Sequence, residues 1–136
     1  MKVDALTQKI NMLTEKKEFA LALLLVNQHR HYHVNYMFND AYATLLYCTN
    51  RFAEAKKIIC FNIKLIKKQA VDTPALLSNY FLKALCYLAE NNIEKTQVYI
   101  QKCLRLSADN PKLQQEFKQF LQLDSLFTQK TRQFTQ

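Results

Sequence analysis

Apolar side chains along this chain return after three or four residues, the spacing that gathers them on one face of an α-helix. Leu6, Ile10 and Leu13 set such a stripe in a first helix over residues 4–15, and Lys16-Lys17 makes a short charged turn. A second helix follows over 18–29. Phe19, Ala22, Leu23 and Val26 share one of its faces, and Leu21, Leu24 and Leu25 make it apolar nearly all round, as in a helix covered on two sides. His29-Arg30-His31-Tyr32-His33 breaks the periodicity and reads as a solvated turn. Helices three and four are expected over 36–49 and 52–68. Asp72-Thr73-Pro74 is a start signal, with Thr73 as N-cap and Pro74 at the first helical position of a fifth helix that reaches residue 90. A sixth helix spans 93–106. Asn110-Pro111 repeats the start signal for a seventh, to about residue 123. Asp124-Ser125 begins a short last helix, and the polar tail 128–136 is expected to fray.

The 136 residues contain no Gly and two Pro, while 49% are hydrophobic, enough for a core at this size. Hairpins lean on Gly for positive φ, so its absence points to an all-α fold with short turns. Asn and Asp are next best at left-handed positions, and they stand at Asn50, Asn91-Asn92 and Asp109-Asn110. A single helical domain over 1–127 is expected. No apolar leader follows Lys2, and the longest strongly apolar run, 19–26, is too short to span a membrane. A cytoplasmic protein fits these features. Cys48, Cys60, Cys86 and Cys103 form no C-x-x-C pair and fall inside helical patterns. They read as reduced thiols, mostly buried as small hydrophobes.

Internal similarity changes the picture further. Residues 17–22, 50–55 and 91–96 superpose, each a polar turn, an apolar anchor (Phe19, Phe52, Ile93) and a small residue three positions on. The anchors lie 33 and 41 residues apart. The stretch 80–110 then resembles a tetratricopeptide repeat (TPR). Tyr80 stands for the family's Trp, Ala84 for its Gly, Tyr87 for its Tyr, Thr96 and Cys103 for its small alanines, Ile100 for its aromatic and Ala108 for its closing Pro. Lys83 replaces its Leu. Ala43, Leu46, Ala55 and Ile59 occupy matching places in a second unit, and Ile10, Leu13, Ala22 and Val26 in a first. The resemblance covers about residues 4–110. It implies antiparallel helix pairs stacked as a right-handed superhelix of about three repeats, closed by the seventh helix as a cap.

Such a stack implies a concave groove lined by the first helix of each pair. Carried over, the lining is Thr7, Asn11 and Thr14, then Asp40, Thr44 and Tyr47, then Phe81, Leu85 and Leu88. Relatives that clamp acidic chaperone tails use Lys, Arg and Asn there, and only Asn11 fits, so that function is rejected. Either Phe81, Leu85 and Leu88 form an apolar peptide groove, or they pack against the capping helix or a second subunit. The resemblance implies a non-enzymatic module, adaptor or chaperone-like, that captures a partner peptide. Small TPR proteins of this size resemble bacterial type III secretion chaperones, which this basic chain departs from in charge.

Charge adds a second surface. The net charge is +8, and residues 51–70 alone carry six basic side chains against one acidic. Lys57, Lys64 and Lys68 share a helix face, Lys56 and Lys67 flank it, and Ile58, Ile59, Phe61, Ile63, Leu65 and Ile66 supply the apolar side. An acidic protein or peptide suits this patch. Lysines without interleaved Arg, Gly or exposed aromatics match specific nucleic-acid readers poorly. A basic nucleic-acid-binding protein and a self-assembling homo-oligomeric subunit are the alternative functions. The three alternating histidines would face one way if extended, but no Cys or carboxylate lies near them and no metal site is assigned. No nucleophile turn, phosphate loop or paired carboxylates emerge, so neither catalysis nor a cofactor is expected.

Overall fold

In the computed structural model, which describes residues 2–69 and 72–123, the chain is all-α. Seven helices are described: α1 Val3–Glu15, α2 Phe19–Gln28, α3 Tyr36–Cys48, α4 Phe52–Gln69, α5 Thr73–Ala89, α6 Ile93–Ser107 and α7 Pro111–Leu123. The helix and tail expected beyond residue 123 lie outside the described residues. No helix among those described is long and apolar enough to cross a membrane.

Short polar side chains start most of these helices by accepting a bond from an otherwise unpaired N–H of the first turn. Asn35 accepts from the Phe38 N–H at 3.0 Å, Asn92 from Lys95 at 3.1 Å, and Asn110 from Lys112 and Leu113 at 3.1 and 3.2 Å. At α5 the cap is Asp72, which accepts from Ala75 at 3.0 Å, rather than Thr73. Pro74 tolerates either placement, because both of the first helical positions lack an intrahelical acceptor for their N–H.

Three turns are built alike. Lys17, Asn50 and Asn91 have φ of 62°, 63° and 61°, and each stands two residues before the next helix. The residue after each reaches back five positions. Glu18 donates to the Leu13 carbonyl at 2.9 Å, Arg51 to Leu46 at 2.8 Å and Asn92 to Tyr87 at 2.8 Å. The left-handed residue itself bonds three positions back in every case. This is a Schellman closure, which satisfies the last carbonyls of a helix and reverses the chain. Asn91 and Asn92 thereby divide the work, one closing α5 and the other capping α6. Lys17 occupies a position that Asn or Gly would fill at less steric cost.

The helices cluster as two compact units, Met1–Val71 and Asp72–Gln136. In the first, α1 packs on α2 and α3, α2 touches α3, and α3 packs along α4. In the second, α5 packs along α6, and α7 meets both. Within each unit, adjacent helices run antiparallel. The small residues expected at close helix approaches are there: Ala22, Ala55, Ala84 and Cys103 have no exposed surface, and Thr96 has almost none. The Cys103 thiol sits 3.9 Å from the Leu77 carbonyl of α5, a contact that a larger side chain would forbid. The anchors differ, since Phe19 and Phe52 are half-buried while Ile93 is 42% exposed.

Two details of the α5–α6 pair add to the expectation. Tyr99 joins the rings of α5, 5.7 Å from Tyr87 and 6.3 Å from Tyr80, beside the half-buried Ile100. Lys83, the oddity in a Leu position, buries its stem and sets its ammonium 4.6 Å from the centre of the Tyr99 ring. A lysine can thus serve an apolar position when a π face receives its charge.

Candidate functional site

The segment from His29 to Val34 is a turn with no buried residue, as the sequence reading of a solvated turn expects. It forms a 3-10 turn, Arg30–Val34. Local contacts hold its rings. His29 Nδ1 lies 2.9 Å from the Leu25 carbonyl, which accepts, so the Nδ1–H tautomer makes the bond. Tyr32 is stacked with His29 at 6.2 Å, touches His31 at 4.2 Å and meets Phe38 at 6.0 Å. His33 Nδ1 is 3.1 Å from the Arg30 carbonyl, and its ring lies 6.5 Å from that of Phe61. The His29 and His31 rings lie 5.9 Å apart, while His33 turns toward Phe61. No cluster of three or more His, Cys, Asp or Glu suited to a metal occurs among the described residues.

A buried amide pair ties the turn to the helices behind it. Asn39 Nδ2 donates to the His33 carbonyl at 2.7 Å and to Asn62 Oδ1 at 3.2 Å, and Asn62 Nδ2 donates to the Tyr36 carbonyl at 3.0 Å. Both asparagines are buried. Holding one carbonyl of the 3-10 turn and one at the start of α3, the pair bridges α3 and α4 without leaving its own groups stranded.

In front of this bridge lies a cleft of about 390 Å³ walled by Phe38, Tyr42, Ile58 and Phe61, with Asn39 at its base and Arg30 and His33 at its edge. Arg30 is fixed there: Nη2 donates to the Tyr42 hydroxyl at 3.0 Å, and the guanidinium carbon is 5.4 Å from that ring's centre. Phe38 is buried, whereas Phe61 is 47% exposed. The sequence reading had grouped Phe61 with the isoleucines on the apolar side of α4. It falls four residues after Lys57 and three before Lys64, so it shares the lysine face, and Ile59, Ile63 and Ile66 form the core side. Lys57, Lys64, Lys67 and Lys68 are exposed and Lys56 is half-buried. Glu54, the only acid between residues 51 and 69, is engaged by Arg51 through Nε–Oε1 at 3.0 Å and Nη2–Oε2 at 2.6 Å. That hydrogen-bonded pairing holds the Glu54 carboxyl below its usual range.

The expected groove lining is placed as follows. Asn11 is exposed on α1, and Thr7 and Thr14 are buried, with the Thr14 hydroxyl donating to the Ile10 carbonyl at 2.8 Å. On α3, the Thr44 hydroxyl donates to the Asp40 carbonyl at 2.9 Å, and the Tyr47 ring packs 5.7 Å from Phe52. Asp40 is half-buried, and burial pushes its carboxyl up to about 6. On α5, Phe81, Leu85 and Leu88 are all buried. The Phe81 ring lies 6.0 Å from Phe117 and 5.6 Å from Phe120, so α7 covers it as a cap. An open apolar lining at that end is thus not what these residues provide. The signal was in α7 itself, where Leu113, Phe117 and Phe120 form a stripe that needs a partner.

No protein-family model matches the chain, and no curated protein or solved structure is significantly similar to it.

Proposed function

We propose that the chain is a TPR-like helical-repeat module that binds a partner protein or peptide, as an adaptor or chaperone does, and performs no catalysis. The observation that carries this reading is the recurrence of one helix–turn–helix plan. Left-handed residues at 17, 50 and 91 are each followed by the same backward hydrogen bond. Buried small residues follow at Ala22, Ala55 and Thr96. Units of this kind gain stability from neighbours, and they leave side chains along their helices available for recognition. The non-catalytic part rests on chemistry. The chain has no Gly for a phosphate loop, and burial pushes the Cys103 thiol up to about 12, far from a reactive thiolate.

Panning a random peptide library on the full chain tests the reading. Enrichment of a shared motif, with binding of the isolated peptide confirmed by calorimetry, is expected. Failure to enrich any motif contradicts it. A second reading, binding of single-stranded nucleic acid, draws on the exposed Phe61 among lysines, since aromatic faces beside cations can stack bases. It requires retardation of an oligonucleotide that weakens steeply with salt.

A further inference from the structure

We propose that the cleft beside the 3-10 turn, continued by Lys57, Phe61, Lys64 and Lys68, receives an acidic peptide segment that inserts one bulky apolar side chain. The inference rests on the interaction-module reading and specifies its surface and the chemistry of its partner. The cleft, at about 390 Å³, has the size of a small recognition pocket and can take one large side chain with room at the mouth. Phe38 and Ile58 give it apolar walls, and the exposed ring of Phe61 forms a rim. Arg30 is already held by Tyr42, so placing a cation at the mouth costs little further ordering.

Charge selects the occupant. Lys57, Lys64 and Lys68 follow Phe61's face of α4 over roughly 16 Å, at about 1.5 Å per residue. The one acid on α4, Glu54, is bonded by Arg51 and also faces Lys57, so the lysines farther along the helix, Lys64 and Lys68, have no acid on their own helix beyond it. A segment with carboxylates on either side of an apolar anchor complements both features, and its approach is accelerated by the field of the patch. A second copy of the chain would bring its own +8 charge to the same surface. Residues 124–136, with two basic and one acidic side chain, bring no complement either. Phosphates could follow the lysines, but the cleft offers carbon surface where a base edge needs donors and acceptors.

The test uses the full chain and three fluorescein-labelled peptides: a Glu/Ala-rich peptide with a central Phe, its Phe→Ala form, and a form with every Glu replaced by Lys. An oligothymidylate of similar length is the fourth probe. The acidic Phe peptide should raise anisotropy, and its affinity should fall about tenfold or more with Phe61→Asp and with the Ala peptide. Lys57→Glu with Lys64→Glu should weaken it comparably and reduce its salt dependence. All three substitutions fall on exposed side chains, and circular dichroism checks that each variant retains its helices. Three results overturn the proposal: no binding of the acidic Phe peptide, equal binding of the Lys-substituted peptide, or tighter binding of oligothymidylate. Library-selected peptides that ignore Phe61→Asp would remove the cleft yet leave the module reading standing, whereas an empty library removes both.

Discussion

Replacing Asn62 by alanine should destabilise the first unit far more than replacing its neighbour Phe61. Asn62 has no exposed surface and joins two elements through two hydrogen bonds, from Asn39 Nδ2 at 3.2 Å and to the Tyr36 carbonyl at 3.0 Å. Each such neutral bond contributes about 1 kcal/mol net, so losing both costs about 2 kcal/mol. Asn39 keeps its bond to the His33 carbonyl, which limits the loss. The sum is about 3 kcal/mol, including a small cavity term. Phe61→Ala removes a ring that is 47% exposed and should cost about 1 kcal/mol or less. Urea unfolding followed by circular dichroism measures the difference. Amide exchange in α3 and α4 reads the unit Met1–Val71 by itself. Equal losses for the two variants would refute the assignment of Asn39 and Asn62 as the tie behind the cleft.

Three further outcomes follow from the same geometry. The Asp40 carboxyl, pushed up to about 6 in the fold from 3.8, binds a proton more tightly folded than unfolded. Stability from this group is therefore full below about pH 4, falls as pH rises to about 6 and stays reduced above. Asp40→Asn should gain about 2 kcal/mol at pH 7 and nothing at pH 4 in paired urea titrations, and a pH-independent effect would contradict this. Cys48 and Cys60 are exposed and Cys86 and Cys103 buried, so a thiol reagent should label the first two in the native protein and the others only in denaturant. Lys17→Gly should raise stability by about 0.5–1 kcal/mol in thermal melts, because a non-glycine side chain at a φ of 62° is strained, and a destabilised variant would count against that backbone conformation.

Helices and turns were legible because their signals are local. The Asn110-Pro111 start, the paired Asn91-Asn92 and the apolar stripes each involve residues within one or two turns. Placement on helix faces was read less evenly. Phe61 belongs with Lys57 and Lys64 by spacing alone, yet grouping it with the isoleucines hid the exposed aromatic. Tyr99 meets the α5 rings, a contact the repeat pattern assigned to no residue there. The 3-10 form of the His-rich segment was not legible. It depends on Asn39 bonding to Asn62, 23 residues away, and no local pattern announces such a pair. The covering of Phe81 by Phe117 and Phe120 is also a tertiary fact, although the stripe on α7 advertised the need for it.

Backbone chemical-shift mapping of the 15N-labelled chain, titrated with the acidic Phe peptide, tests the central claim most directly. The account predicts perturbations concentrated at Arg30, His33, Phe38, Ile58, Phe61 and Lys64, reaching saturation as the peptide binds. Perturbations confined to Asn11, Thr44 and Tyr47, or none at all, would contradict it.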